Sequence, residues 1–328
     1  MCAMTTGDEQ PSTIRAAPRV VHTGPAVVDL VMEVDRFPDV GGDVFASRHA
    51  MHAGGGTNVM VAARRAGADV VYASTHGTGP FGDLVRRTLV AEGISIATPA
   101  STDGDTGFCV AVTDAEAERT FLSSWGVEAR AGAAELRHVE ARSGDVVSVT
   151  GYSGMHETSA HAVAQYLDAL PTGALVVVDP APVVGDVPAE FLRAVTSRAD
   201  VWSSNEPEAC VLAGRLGLEV GVRDRAALCA ALAQRIDGVV VLRVGSDGCF
   251  VARPGERARH FPAHRVEAVD TNGAGDAHVG VMCGRLSLGR PLEEAIEWAN
   301  TAAALAVTRF GPATCPSMRE ILQRQGHG

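Results

Sequence analysis

The stretch Val269-Asp270-Thr271-Asn272-Gly273-Ala274-Gly275-Asp276-Ala277-His278-Val279-Gly280 places two glycines and an alanine directly before an acid and an apolar segment. Small side chains leave successive backbone N–H groups uncovered, and a helix start adds the positive end of its dipole. The stretch therefore predicts an anion-binding nest with an acid beside it, which is a suitable arrangement for phosphoryl transfer. On spacing alone, the alternative is a glycine-rich helix start with an acidic N-cap, which is common in α/β folds.

Around this stretch, short apolar strands alternate with helical segments. Continuous apolar runs such as Leu175–Asp179 and Val239–Val244 suit strands that are buried on both faces. Helices of about ten residues between such strands indicate parallel pairing. The predicted class is α/β, a doubly wound, mostly parallel sheet flanked by helices. The other predicted strands are Val20–His22 with Ala26–Val28 as a first strand, Asp69–Ala73, Val146–Thr150 and Val201–Ser203.

Two segments break this alternation. Val31–His52 and Thr102–Ser124 alternate polar and apolar residues, which is typical of half-exposed strands. Asp114–Ala117 is predicted as the tip of a hairpin between the strands Phe108–Thr113 and Arg119–Leu122. We expect a small antiparallel β lid built from about 31–53 and 102–124, on a single domain that spans residues 18–322. Residues 1–17 are predicted to be a disordered tail.

Composition excludes several classes of protein. The chain has 328 residues, a formal net charge of −11 and no basic stripe, so nucleic acid and anionic membranes are poor partners. The seven cysteines form no CxxC pair, which is typical of reduced thiols. No apolar run reaches the length of a signal peptide or a membrane helix. We expect a cytoplasmic protein whose anionic ligands need a local positive site.

The string DTNGAGDA (270–277) resembles the DTxGAGD signature of the ribokinase-like (PfkB) carbohydrate kinases, and the resemblance runs from about Val20 to the end of the chain. It implies ATP-dependent phosphorylation of a hydroxymethyl group on a sugar or sugar-like molecule. Asp276 would be the general base, and Gly273, Ala274 and Gly275 would hold the γ-phosphate.

The N-terminal part carries the substrate signature of the same family. Gly54, Gly55 and Asn58 correspond to its glycine-containing loop ending in Asn, and Asp29 matches an aspartate that accepts two sugar hydroxyls. One carboxylate can accept from two neighbouring O–H groups at once. Taken alone, Asp29 could equally be the cap of a turn.

The nucleotide signatures follow in the family's order. Asp179-Pro180-Ala181-Pro182 resembles an NPAP strand end, and Asn205 with Glu208 resembles PNExE, which implies that Glu208 contacts Mg²⁺ through water. Alone, these motifs could be a plain strand end and an N-cap with its first-turn acid. The resemblance implies ATP-binding positions at Asn205, Arg243, Gly245, Gly248 and Asn300.

A monovalent cation site, such as one for K⁺, is also implied, because potassium-activated members bind the ion through the start of the DTxGAGD segment and the loop after the last long helix. The matching positions are Asp270, Asn272, Ala306, Arg309, Gly311 and Cys315.

The sequence also departs from the ribokinase pattern. Val27 stands where an Asn is usual, Gly55 stands where a Lys is often found, and 150–153 offers no substrate-binding carboxylate, so D-ribose is in doubt as the acceptor. Cys315 replaces a Ser of the cation loop. Arg243 stands where Thr is common, and either adds charge near the ATP phosphates or points to solvent.

Three rival interpretations remain. A nucleoside kinase of the same superfamily would share these motifs, and a non-catalytic sugar sensor would share the fold but would not need Asp276. A Rossmann dehydrogenase is disfavoured because no GxGxxG follows the first strand. Exposed lid strands often pair between subunits, so we expect a homodimer through the lid.

Overall fold

The computed structural model describes residues 17–116, 119–219, 224–311 and 314–326. Its strands are β1 (Arg19–His22), β2 (Ala26–Glu33), β3 (Arg48–Gly55), β4 (Asp69–Tyr72), β5 (Ser95–Ile96), β6 (Phe108–Thr113), β7 (Arg119–Ser124), β8 (Val146–Thr150), β9 (Leu175–Asp179), β10 (Val201–Asn205), β11 (Val239–Arg243), β12 (Cys249–Ala252) and β13 (Arg259–Phe261). Its helices are α1 (Gly56–Arg65), α2 (Pro80–Ala91), α3 (Ala133–Leu136), α4 (Glu157–Asp168), α5 (Ala189–Thr196), α6 (Glu206–Arg215), α7 (Arg225–Ile236), α8 (Ala274–Ser287), α9 (Leu292–Ala306) and α10 (Met318–Arg324). Short 3₁₀ turns cover Val127–Arg130, Gly151–Gly154, Pro182–Gly185 and Gly245–Asp247.

A nine-stranded sheet forms the body, in the order β13-β12-β11-β10-β9-β8-β1-β4-β5. From β11 to β5 every pairing is parallel, and β12 and β13 extend that edge antiparallel. The sheet is covered on both faces, because alternate residues of one strand enter different cores. Val20 packs in the core that contains α1, α8 and α9, and the adjacent Val21 packs in the core that contains α4 to α7. The predicted doubly wound fold is confirmed.

The second sheet has four strands in the order β3-β2-β6-β7. The pairs β2–β3 and β6–β7 are antiparallel, and β2–β6 is parallel. The parallel pair arises because β6 enters from the body after β5 and runs in the direction of β2. The predicted hairpin strand Phe108–Thr113 is reproduced, and part of its predicted tip lies outside the described residues.

One predicted strand was placed in the wrong sheet. Ala26–Val28 was grouped with Val20–His22 as a single buried strand, whereas these residues begin β2 of the small sheet. The chain leaves the large sheet through His22-Thr23-Gly24-Pro25, where Pro25 cannot donate a ladder hydrogen bond. Val28 is fully buried because this end of the small sheet packs on the body. The residues there are apolar for that reason, so the sequence does not alternate between polar and apolar residues. No helix in the described ranges is long and apolar enough to cross a membrane.

Candidate active site

Four parallel strands bring polar side chains to the same edge of the large sheet. In the strand register, Thr150 of β8 pairs with Asp179 of β9, and Asn205 of β10 pairs with Arg243 of β11. Each is the last residue of its strand. Ligands of open α/β sheets bind outside the carboxyl ends of the strands, so this row marks the edge where chemistry is expected.

Helix α8 brings Asp276 to this edge beside Asn58 of α1. The two helices pack closely because α8 has glycines at the contact: a Cβ on Gly280 would lie 2.3 Å from the Val59 carbonyl oxygen. At the amino end of this contact, Asn58 Nδ2 donates to Asp276 Oδ2 at 3.0 Å. The hydrogen bond holds the carboxylate in one orientation, and Asn58 itself is 6% exposed.

The start of α8 exposes backbone donors. Gly273 is the N-cap with φ of 74°, a left-handed conformation that favours glycine. The Ala274 N–H makes a long 3.4 Å bond to the Thr271 carbonyl, and the Ala277 N–H closes the first turn on Gly273 at 2.8 Å. Between them, the N–H groups of Gly275 and Asp276 bond to no carbonyl of the described residues. The predicted nest of free amides therefore has the geometry that an anion needs.

Arg243 lies over this nest rather than in solvent, so the solvent-facing alternative is wrong. Its side chain is 12% exposed, and Nη1 lies 2.7 Å from where a Cβ of Gly275 would be. Nη2 contacts Asp179 Oδ2 at 3.2 Å and Glu208 Oε2 at 3.4 Å. A side chain at 275 would therefore displace the guanidinium from this position.

Asn205 and Glu208 form a reciprocal cap at the start of α6. The Asn205 N–H and Nδ2 donate to the two oxygens of Glu208, each at 2.9 Å, and the Glu208 N–H donates to Asn205 Oδ1 at 2.8 Å. The capping alternative is therefore correct as a description of their local structure. It does not exclude a metal role, because the buried Glu208 carboxylate also faces Arg243 and Asp179, and repulsion from Asp179 adds to burial in raising its pKa.

Two further carboxyl groups of the site have raised pKa values. Burial is the main cause of the increase in the pKa of Asp276 from 3.8 to about 6; Asp179 adds to it, while the Asn58 hydrogen bond and Arg243 oppose it. Burial and the charge of Asp276 raise the pKa of Asp29 to about 7. Asp29 of the small sheet and Asp276 of α8 are therefore close enough for their charges to interact. A base whose pKa is near the working pH can both accept and release a proton.

The small sheet presents a row of polar side chains around Asp29. Asp29 pairs with His52 of β3 and with Cys109 of β6, and Cys109 pairs with Ser123 of β7, so all four side chains share one face. The Asp29 carboxylate occupies the space above Gly54, where a Cβ would lie 1.9 Å from Oδ2. Gly55 has φ of 56° and directs the chain into α1.

Tyr152 was not predicted as a site residue, although its segment was noted for lacking a carboxylate. Its ring is 40% exposed at the end of β8. Burial, together with Asp276, Cys109 and other site acids, raises the pKa of the phenol to about 12, so the hydroxyl stays a donor. Gly151 lets this turn touch the neighbouring strand, since a Cβ there would lie 1.8 Å from the Pro180 carbonyl oxygen. The sequence identified Asp179 only as the end of a strand. Its contact with Arg243 is evident only from the fold.

The residues predicted on the nucleotide side divide into two groups. Gly245 (φ 64°) and Gly248 (φ 98°) form the turn after β11, and Gly245 has no atom within 4 Å of an added Cβ, which leaves its backbone open to a ligand. Asn300 is buried: Nδ2 donates to the Phe261 and Pro262 carbonyls at 3.2 and 3.3 Å, and Oδ1 pairs with His278 Nε2 at 3.1 Å. Its side chain packs behind the turn, and its contact with a nucleotide stays a prediction.

Three of the residues predicted for a monovalent cation are joined where the segment before α8 meets the loop after α9. Asp270 accepts from the N–H groups of Asn272 (2.9 Å) and Gly311 (3.0 Å), so its carboxylate organises the loop. The Arg309 guanidinium pairs with Glu320, and the carbonyl of Cys315 accepts from Arg65. Ala306 is the last residue of α9, and its carbonyl accepts from the Arg309 N–H at 3.2 Å. In the described ranges, no cluster of three His, Cys, Asp or Glu side chains could hold a metal ion.

Comparison with known proteins gives one consistent result. The model of the pfkB family carbohydrate kinases matches residues 17–319. The chain is 26% identical over 304 residues to an uncharacterized sugar kinase, YegV, of Escherichia coli K12, with 92% of each chain covered. It is 29% identical over 302 residues to an ATP-dependent ribose-1-phosphate kinase of Halopiger xanaduensis, covering 91% and 95%. The structure of ribokinase from Giardia lamblia shares the fold, with a TM-score of 0.80 at 22% identity over 94% and 99% of the two chains.

Proposed function

The chain belongs to the pfkB family of carbohydrate kinases, and we propose that it transfers the γ-phosphate of ATP to a hydroxymethyl group of a sugar or sugar-like molecule. The observation that carries this proposal is the position of Asp276. Its carboxylate lies at a helix start with free amides, is oriented by Asn58, and is close enough to Asp29 for their charges to interact. A non-catalytic sensor would gain nothing from a buried acid whose pKa is raised to about 6.

Each group has a role in the reaction that we propose. Asp276 takes the proton of the acceptor hydroxyl as its oxygen attacks the γ-phosphorus, and ADP leaves with the electron pair of the broken P–O bond. The Gly275 and Asp276 amides stabilise the charge on the transferring group. Asp29 and Asn58 orient the acceptor, with Gly54 and Gly55 leaving room for it. The small sheet closes over the site and excludes water, which suppresses ATP hydrolysis.

Glu208 supports a role for magnesium through water. Its two oxygens accept from the Asn205 N–H, Asn205 Nδ2 and Arg243, so one of its four lone-pair positions remains for a water molecule. Mg²⁺ keeps several waters in nucleotide sites, which agrees with so sparse a set of protein ligands. When bound with ATP, the ion would neutralise phosphate charge. K⁺ would suit the loop that Asp270 organises, through carbonyl oxygens of 306, 309 and 311.

The direct experiment is a screen for ADP release with pentoses, hexoses, sugar acids and nucleosides, with and without K⁺. Asp276→Asn should bind ATP and lose about 10²- to 10⁴-fold in kcat, the usual contribution of a general base. Asp83 is an acid in the first turn of α2, as Asp276 is in α8. Asp83→Asn is therefore the matched control and should keep full turnover. If Asp276→Asn retained more than about a tenth of kcat, Asp276 would not be the base.

Tyr152 favours a nucleoside as the second candidate acceptor. An exposed ring stands where ribokinases place a carboxylate, and a base could stack on it while the ribose hydroxyls reach Asp29. Tyr152→Leu should then raise the nucleoside KM about tenfold and leave the KM of a simple pentose unchanged. Equal effects on both acceptors would remove the reason to prefer nucleosides.

We further propose that two copies pair through the small sheet. Its edge and connecting loop expose large apolar side chains, which are rare on monomer surfaces when they are contiguous. These side chains are Phe37, Val40, Phe45, Met51, Phe121, Leu122 and Trp125. Light scattering after gel filtration should give about twice the chain mass, and Phe121→Asp should shift it to the monomer. A wild-type monomer at micromolar concentration would refute the pairing.

A further inference from the structure

Arg243 and Asp179 are two departures from the family pattern that contact each other. Arg243 stands where Thr is common, and Asp179 stands in place of the Asn of the NPAP strand end. Their strands are separated only by β10, and Arg243 Nη2 lies 3.2 Å from Asp179 Oδ2. The acidic residue and the basic residue that differ from the family pattern thus form one ion pair inside the site. The signatures quoted above do not by themselves predict this pair.

The guanidinium has more donors than the protein uses. Nη2 contacts both acids, whereas Nε and Nη1 are buried and have no hydrogen-bond partner among the described residues. A buried charged donor without a partner is costly, so these atoms favour the approach of an acceptor. Nη1 is the one that lies at the start of α8, because an added Cβ on Gly275 would be 2.7 Å from it.

An entirely structural ion pair would have a different geometry. An arginine that only joins two strand ends would direct its planar fork at the carboxylates, as bidentate pairs do. Here Asp179 and Glu208 both contact the same nitrogen, at 3.2 and 3.4 Å, and Nη1 lies at the start of α8, beside the nest. The acids therefore hold the group by Nη2 and leave Nη1 for a ligand.

Resting on the proposed kinase function, we propose that Arg243 is a catalytic residue that donates from Nη1 to the transferring phosphoryl group above Gly275. The acceptor oxygen forms its bond to the γ-phosphorus while the bond to the ADP oxygen breaks. The proton goes to Asp276, and Arg243 keeps all of its protons. Its charge offsets the negative charge that Asp179, Glu208 and Asp276 would present to the phosphates.

The test compares Arg243→Met and Arg243→Lys with the wild type, with Arg285→Met as the control. Arg285 is a buried arginine on the same helix as Asp276, paired with Glu294 and stacked on Trp298, and it takes no part in the site. Arg243→Met should lower kcat about 10²- to 10³-fold, as loss of a charged transition-state donor does. Arg243→Lys should recover part of this loss, because it keeps the charge without the planar fork.

Equilibrium binding separates a catalytic contact from a structural one. Arg243→Met should weaken ATP binding about tenfold or more and leave AMP binding within about twofold, since only ATP carries the phosphate at the nest. Equal losses for ATP and AMP would overturn the proposal, as would a kcat above about a third of the wild type. Because this comparison needs no acceptor, it remains decisive even if no sugar is phosphorylated and the proposed function itself fails.

The double variant Asp179→Asn/Arg243→Thr restores both residues of the family pattern and keeps the proposal testable if Arg243→Met does not fold. Arg243→Thr alone leaves Asp179 and Glu208 facing the phosphates without a cation, so the double variant should be at least about fivefold more active than that single variant. If the effects of the two substitutions on activity simply multiplied, Arg243 would act independently of Asp179, which contradicts the proposal.

Discussion

Replacing Asp276 with Asn is expected to stabilise the fold while it removes activity. In the folded chain, burial raises the pKa of Asp276 from 3.8 to about 6. A difference of roughly two pH units, at about 1.4 kcal/mol each, means that the ionised carboxylate costs about 3 kcal/mol of unfolding free energy. Asn stays neutral and still offers Oδ1 to the Asn58 donor, so the variant avoids this cost.

The raised pKa of Asp276 determines how the unfolding free energy changes with pH. A carboxyl group whose folded pKa lies above its unfolded pKa binds its proton more tightly in the folded state. The stability from this proton is complete below about pH 4 and is lost as the pH rises through about 6. Asp276→Asn should therefore exceed the wild type by up to about 3 kcal/mol at pH 8, and the two should converge near pH 4.

Urea unfolding followed by tryptophan fluorescence, at constant ionic strength between pH 4.5 and 8, measures the difference. Asp83→Asn is the control: it breaks an exposed ion pair with Arg86 on one helix and should lower stability by a few tenths of a kcal/mol, about as an exposed helical pair contributes. The reasoning fails if Asp276→Asn is less stable than the wild type at pH 8. It also fails if their difference is the same at pH 4.5 and pH 8.

Three further predictions concern turnover. The kcat/KM for the acceptor should fall as the pH drops below about 7, where Asp29 titrates, and more steeply below about 6, where the coupled Asp276 also titrates; a profile flat from pH 5 to 8 would contradict this. Asn58→Leu removes the hydrogen bond that favours ionised Asp276, so the acid limb of a kcat–pH profile should move up by about one unit; an unmoved limb would contradict it. Gly54→Ala puts a methyl group against Asp29 and should raise the acceptor KM at least about tenfold. Gly214 lies at an open helical position, so Gly214→Ala should leave the KM values of acceptor and ATP unchanged. An acceptor KM that is equal in Gly54→Ala and the wild type, measured by steady-state kinetics, would refute this prediction.

The large sheet could be predicted from the sequence because its strands are continuous apolar runs. Val146–Thr150 and Leu175–Asp179 have the bounds that the pattern predicted. The exit of the chain into the small sheet could not be predicted, because Ala26–Val28 is as apolar as a central strand. Its burial comes from packing on the body, which is a tertiary effect that periodicity does not encode. The parallel β2–β6 pairing is likewise a result of chain path rather than of local pattern.

The site divides in the same way. Asp276, the glycines before it and Asn58 are adjacent to recognisable local signals, and the fold brings them together as expected. The sequence left the direction of the Arg243 side chain open, because local sequence does not decide whether a residue at a strand end faces solvent or the neighbouring strands. Only the strand order, which places β9 and β10 beside β11, decides it. Tyr152 carries no local signal at all, since a tyrosine in a turn is unremarkable until its neighbours are known.

The balance of charge at the site favours a neutral acceptor. In the proposed mechanism Asp29 and Asp276 orient and deprotonate the acceptor. Asp179 and Glu208 lie in the same site, and among the described residues Arg243 is the cation that contacts them. An anionic sugar would meet this excess of carboxylates without a partner of its own, because in the proposed mechanism the free amides and the guanidinium bind the γ-phosphate. Protonating Asp29 would relieve part of the repulsion, but it would also weaken the acceptor group that orients the substrate hydroxyls. The same arrangement that draws ATP to one half of the site therefore disfavours a second anion in the other half.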